Sequence, residues 1–212
     1  MTVQPKTNHV TKENDATIRR LAITGLMAAL CYIGFAFFKI DVPIPGEAGK
    51  TAFHFGNAFC VLGALLLGGP LGGLSGAVGM TIADLTSGYA TSAPTTFVLK
   101  FMIGMIVGLI AHKIFHLSKS HNLKFITIVT VFSSACGMIF NFFADPIIGY
   151  LYKSYILGTP QDIASVYAKW EAGTTLANAI IAVIAASVIY LALRPALTKT
   201  GLLPHIGREE TL

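Results

Sequence analysis

Stretches of about 20 residues with almost no charge recur along this chain, and a run of that length is what crossing a hydrocarbon core about 30 Å thick requires. Lipid offers backbone N–H and C=O groups no water to bond, so such runs are helices. With 54% hydrophobic and 12% charged residues and a mean hydropathy of +0.68, the chain has too few charges to cover a water-soluble globule of 212 residues. It reads as an all-α integral membrane protein. Six spans are expected, at about 18–38, 55–69, 71–88, 95–116, 125–152 and 171–193. The second and third are joined only by "GGPLGG", whose glycines and Pro70 break a run too long for one helix, so a tight hairpin is expected there.

Charge orients the bundle. Lys6, Lys12, Arg19, Arg20, Lys113, Lys119, Lys124, Arg194, Lys199 and Arg208 fall on one side, against Lys39, Lys50, Lys100, Lys153 and Lys169 on the other or within a span. By the positive-inside bias the larger set is cytoplasmic, and both termini with it. The expected organisation is a cytoplasmic tail over 1–16, a six-transmembrane-helix bundle over 17–197 and a second cytoplasmic tail over 198–212. The polar first 20 residues do not resemble a cleavable signal peptide. Three connections then face outward: "KIDVPIPGEAGKTAFHFGN", "SGYATSAPTT" and "ILGTPQDIASVYAKWEAG". They are the longer and more varied loops, and recognition tends to reside in such loops.

Seven glycines crowd "GALLLGGPLGGLSGAVGMTIADL" before its single charge, Asp84. Gly68, Gly72 and Gly76, and Gly69 with Gly73, recur at four-residue spacing, which places small residues where helix backbones can approach closely. Gly73, Gly76 and Gly79, three apart, are expected to line one contact stripe. Asp84, Lys100 and Asp145 are ionisable groups at or near membrane depth, where a charge costs roughly 2.5–3.5 kcal/mol unless it meets water or a partner. They are expected to border a cavity, against the alternative that Lys100 snorkels outward and Asp84 merely pairs with it. His54, Asn57, Tyr89, Thr95, Thr96, Asn141, Tyr150, Tyr167, Trp170 and Asn178 supply convergent polar and aromatic material of the kind that lines small-molecule pockets. The amides Asn57, Asn141 and Asn178 serve equally as helix–helix glue, and Tyr150, Tyr152 and Tyr155 as an interfacial belt.

Other chemistries find little support. "PGEAGKT" ends like a phosphate-binding loop but has Ile44 where the pattern needs glycine, and it is expected to lie in an outer loop with no strand before it. His112 and His116 in "HKIFH" are four apart, yet no acid or cysteine joins them, so they read as a basic collar and no metal site is expected. Cys31, Cys60 and Cys136 are widely spaced inside apolar runs and read as packing residues. The basic residues flank helices instead of forming a stripe with interleaved aromatics, so nucleic acid is not an expected partner. No nucleophile with a base stands out, and no enzyme is expected.

In order, "ITGLMAALCYIGF", "FHFGNAFCVLGALLLGGPLGGLSGAVGMTIADLTSGY", "SAPTTFVLKFMIGMIVGLIAHKI" and "TTLANAIIAVIAASVIYLALRPAL" resemble the substrate-binding S components of energy-coupling factor (ECF) vitamin transporters. The likeness covers most of residues 17–197. It implies a six-helix bundle in the cell membrane that captures a water-soluble B-type vitamin outside. A transmembrane scaffold protein and two cytoplasmic ATPases would drive its delivery as the bundle topples, so the chain itself would need no cofactor and ATP would be used by its partners. The family's small-residue docking pattern on the first helix maps here to Gly25 and Ala29. By the same likeness His54, Asn57, Asp84, Tyr89, Lys100, Asn141 and Trp170 would form the pocket, together with the Asp145 carboxylate singled out above. Two acids and several aromatics suit hydroxymethylpyrimidine or pyridoxine, since carboxylates accept from amine or hydroxyl donors while rings stack. Pantothenate would call on an unpaired Lys100, or on Lys153 and Lys169, and riboflavin on a larger pocket. A stand-alone proton-coupled transporter using Asp84 or Asp145 is the reading of another class.

Overall fold

The computed structural model describes residues 7–45 and 49–199. Its elements are α1 (Thr7–Ala36), β1 (Lys39–Ile44), β2 (Gly49–His54), α2 (Gly56–Leu67), α3 (Gly69–Thr86), α4 (Ala93–Gly108), α5 (Leu123–Leu151) and α6 (Gln161–Lys199). Wide π-helical turns at Leu109–Ile114 and Tyr152–Ile156 prolong α4 and α5. Residues 1–6 and 200–212 of the expected tails, with Lys6 and Arg208, lie outside the described residues, as do 46–48 in "PGEAGKT" and the side chain of Lys12.

Among the described residues, four segments have the length and apolarity to cross a membrane: Ala16–Ala36, Ala90–Ile114, Leu123–Ile156 and Gln161–Lys199. The 12 residues of α2 rise only about 18 Å at 1.5 Å per residue. Helix α2 ends at Gly68, whose φ of 82° a residue with a Cβ would adopt only under strain. Pro70 follows in the first turn of α3, where its missing N–H costs nothing. The expected hairpin therefore turns on a single residue.

Glycine spacing decides how the helices pack. A Cβ on Gly72 or Gly76 would strike Ala64 or Cys60 of α2, while one on Gly73 would strike Phe101 of α4 and one on Gly69 would press tightly on Met105 of α4. Each four-residue series thus serves one neighbour. The three-residue series does not form the single stripe expected of it: Gly73 faces α4, Gly76 faces α2 and Gly79 meets Ala28 and Cys31 of α1. At 3.6 residues per turn, each step of three rotates the position by about 60°, so the series wraps around α3.

Two outward connections are more ordered than the sequence suggests. The first is an antiparallel hairpin, paired from Lys39↔His54 to Ile44↔Gly49, where β-branched Ile40, Val42, Ile44 and Thr51 suit a pleated, half-buried surface. The third folds largely into α6, which begins at Gln161, about ten residues before the expected boundary. Ile163, Ala164 and Tyr167 give that polar stretch a helical apolar face, and both Ala164 and Tyr167 are buried. At the opposite end His112 is no collar residue: it is buried, and its Nε2 donates to the Leu65 carbonyl at 2.9 Å. His116 is exposed in a left-handed turn. Buried Arg194 donates to the Tyr190 hydroxyl and to the Leu117 and Ser120 carbonyls at 2.7–2.9 Å, tying the α4–α5 connection to α6.

Candidate functional site

The hairpin end of the bundle encloses a polar chamber. Helix α3 contributes Met80 and Asp84, α4 contributes Thr96 and Lys100, and α5 contributes Asp145. Tyr167, Glu171, Thr174, Thr175 and Asn178 reach it from successive turns of α6, and Thr51, Ala52 and His54 roof it from β2. Asp84 and Lys100 are 3% and 5% exposed, so neither faces lipid and Lys100 does not snorkel. Lys100 Nζ donates to Asn141 Oδ1 at 3.3 Å, and Thr175 donates to Asp145 at 2.9 Å. Asp84 Oδ2, Glu171 Oε2 and His54 Nδ1 are buried without a hydrogen-bond partner. Buried polar atoms are normally paired, since an unmet one costs about 1–3 kcal/mol. Three orphans lining one chamber mark where a polar ligand or water belongs. Burial and the nearby Lys100 ammonium hold the His54 pKa at about 3, so its imidazole is neutral at physiological pH and offers one donor and one acceptor.

The hairpin is seated by side chains that act as strand partners. Asn178 accepts from the His54 N–H at 3.0 Å and donates to the Ala52 carbonyl at 2.9 Å, while the Thr51 and Thr174 hydroxyls meet at 2.7 Å. Across the mouth, Asp41 pairs with Lys39 and Lys50 at 2.9 and 2.8 Å, and Tyr89 Oη donates to it at 2.9 Å. Both ammonium groups lie over the Tyr89 ring, at 5.0 and 4.6 Å from its centre. Partial burial alone would raise the Asp41 pKa, but the bonds from Lys50, Lys39 and Tyr89 outweigh it and hold the carboxyl at about 2. A lowered folded-state pKa means this clasp is complete above the unfolded value of about 3.9 and is lost as pH falls through about 2. Exchange of the β1 and β2 amides, corrected for intrinsic rate, is expected to stay slow to about pH 3 and quicken below it; in Asp41→Asn it is expected to be fast throughout, with no acid step.

The chamber measures about 60 Å³, and a vestibule of about 240 Å³ adjoins it, with Tyr89, Ser92 and Tyr167 lining both. Alone the chamber holds a few waters; together the two reach the lower end of small-molecule pocket sizes, roughly 300 Å³.

A family model for the S component of ECF-type riboflavin transporters matches residues 15–195. The chain belongs to that family. It is accordingly a multi-pass membrane protein of transport, and its family is one of transporter components. Over 69 residues this S component is also 39% identical to an uncharacterized protein of Pyrococcus woesei, described by its position in a gap 3′ region. That match takes in 32% of the chain and 45% of the relative, so the S component spans about half the length of the curated relative it matches. No solved structure matches it.

Of the residues singled out in the S component's sequence, His54, Asp84, Tyr89, Thr96, Lys100, Asp145, Tyr167 and Asn178 meet in the chamber. Asn141 stands behind Lys100 as its acceptor. Asn57 is buried at the start of α2 with Oδ1 unpartnered, and does not line the chamber. Trp170 is 42% exposed and borders a separate cavity with Val42, Phe53 and Lys169. Glu171, Thr174 and Thr175 are among the lining residues that sequence reasoning passed over, as are Thr51 and Ser92. Glu171 and Trp170 are adjacent in "AKWEAG", so one step around α6 decides which of them turns inward. The signal that identifies Glu171 is the helical spacing of Ala164, Tyr167, Glu171, Thr174 and Asn178 at three- and four-residue steps.

Proposed function

We propose that this S component spans the cell membrane six times with both termini inside, and captures a small hydroxylated heteroaromatic vitamin of the hydroxymethylpyrimidine or pyridoxine kind. The observation that carries this reading is the pair of partnerless carboxylate oxygens, Asp84 Oδ2 and Glu171 Oε2, in one chamber with neutral His54. Carboxylates accept from amine and hydroxymethyl donors, whereas an anion such as pantothenate would meet three carboxylates and one ammonium there. Riboflavin is the second reading, favoured by the family's description and by the rings of Tyr89 and Tyr167 where chamber and vestibule meet, since aromatic faces stack on a flavin. Calorimetry of the purified protein with hydroxymethylpyrimidine, pyridoxine, pantothenate and riboflavin tests both readings. Saturable binding of one of the first two supports the leading one, and binding of riboflavin alone replaces it with the second.

Delivery inward would fall to a transmembrane scaffold protein and two ATPases, docked on α1. Gly25 and Ala29 are exposed there with Ala22 and Leu26, and a Cβ on Gly25 would meet nothing within 4 Å. Small residues on an open face let a partner helix approach closely. In liposomes holding the scaffold and ATPases, Gly25→Trp is expected to keep vitamin affinity and abolish ATP-dependent uptake. Uptake at the wild-type rate would remove this face from docking, and ATP-independent uptake by the bundle alone would point to a secondary transporter.

A further inference from the structure

Chamber and vestibule share Tyr89, Ser92 and Tyr167 but carry opposite charge. Asp84, Asp145 and Glu171 face the chamber against the one ammonium of Lys100. The vestibule is walled by Lys50 and Lys153, with the hydroxyl-bearing Thr91, Ser92 and Thr159, and has no carboxylate in its lining. Lys50 shares Asp41 with Lys39, so one carboxylate serves two ammonium groups. Lys153 forms no ion pair within 4 Å among the described residues; the chamber's Glu171 carboxylate attracts it from beyond that distance, and its Nζ lies 4.0 Å from the centre of the Tyr167 ring. An ammonium resting on a π face keeps its N–H donors available to an anion.

We propose that the vestibule is an anion subsite that takes a phosphomonoester carried by the ligand whose ring fills the chamber, so that the phosphorylated vitamin binds more tightly than its parent. The assignment rests on the vitamin-capture reading and adds a charge class to it: a ligand that is donor-rich at the ring and dianionic at the tail. Lys153 is the group that meets the phosphate, with Lys50 and the threonine hydroxyls beside it. Charge-assisted hydrogen bonds of this type are the strong ones.

Calorimetry in nanodiscs with three pairs of probes tests it: pyridoxine, hydroxymethylpyrimidine and riboflavin, each beside its monophosphate. For the pair whose parent binds, the monophosphate is expected to bind about tenfold tighter or more, as one charge-assisted bond provides. That advantage is expected to vanish in Lys153→Gln, to persist in Lys153→Arg, and to shrink as salt is raised. A parent that binds while its monophosphate binds no better overturns the subsite and leaves vitamin capture standing, as does an advantage that survives in Lys153→Gln. If none of the six binds, vitamin capture fails and the subsite with it.

Discussion

Asp84→Asn is expected to weaken vitamin binding by about 1.5–3 kcal/mol, the range for a hydrogen bond to a charged group, which is roughly 10- to 150-fold in Kd. The carboxylate is 3% exposed, and its Oδ2 has no partner in the protein. Asparagine keeps the shape but turns one acceptor into a donor, so a ligand amine or hydroxyl that approaches it finds N–H facing N–H or O–H. The loss should appear in Kd while the melting temperature of the empty protein stays close to wild type, because no protein bond to Oδ2 is broken. Affinity unchanged by calorimetry would take Asp84 out of the recognition chemistry.

The largest effect on folding is expected where α3 and α4 cross. A Cβ on Gly104 would collide with the backbone of Gly73, and one on Gly108 with the backbone of Gly69. Backbone, unlike a flexible side chain, yields only if the helices separate. Gly104→Leu and Gly108→Leu are each expected to destabilise by about 3 kcal/mol or more, the upper range for overpacking, and to reduce the yield of monodisperse protein. Gly25→Leu is the control: its Cβ meets nothing within 4 Å, and leucine is the better helix former. A thermal melt of Gly104→Leu that matches this control would show that the crossing is not as close as described.

Much of the bundle was legible in the order of residues because lipid imposes simple rules. Apolar runs announced the long helices, the four-residue glycine series announced close helix packing, and "GGPLGG" announced a tight hairpin; which helix each glycine meets, and that the turn falls on Gly68, came from the fold. The outer connections were less legible. "KIDVPI" and "GKTAFH" carry strand formers, yet a lone two-stranded hairpin is marginal in water; this one is held by Asn178 and Thr174, more than 120 residues away in the chain. In the same way, "QDIASVYAKWEAG" looks like a loop by polarity, and becomes the first turns of α6 because Ala164 and Tyr167 turn one face inward and Glu171 reaches the chamber, while Gln161, Asp162 and Lys169 stay exposed.

The site divides along the same line. Composition and spacing by themselves determined that the protein is a helical membrane bundle, and raised the expectation that Asp84, Lys100 and Asp145, too costly to leave in lipid, border a polar cavity, with snorkelling and simple pairing left open. Only tertiary structure decided which neighbours they meet there. It turned Glu171 inward and Trp170 outward, set Asn141 behind Lys100, and set Asn178 on the hairpin. The reason is geometric: a helix rotates about 100° per residue, so a side chain's surroundings depend on the phase at which each helix packs, and that phase is set by contacts between segments far apart in the chain.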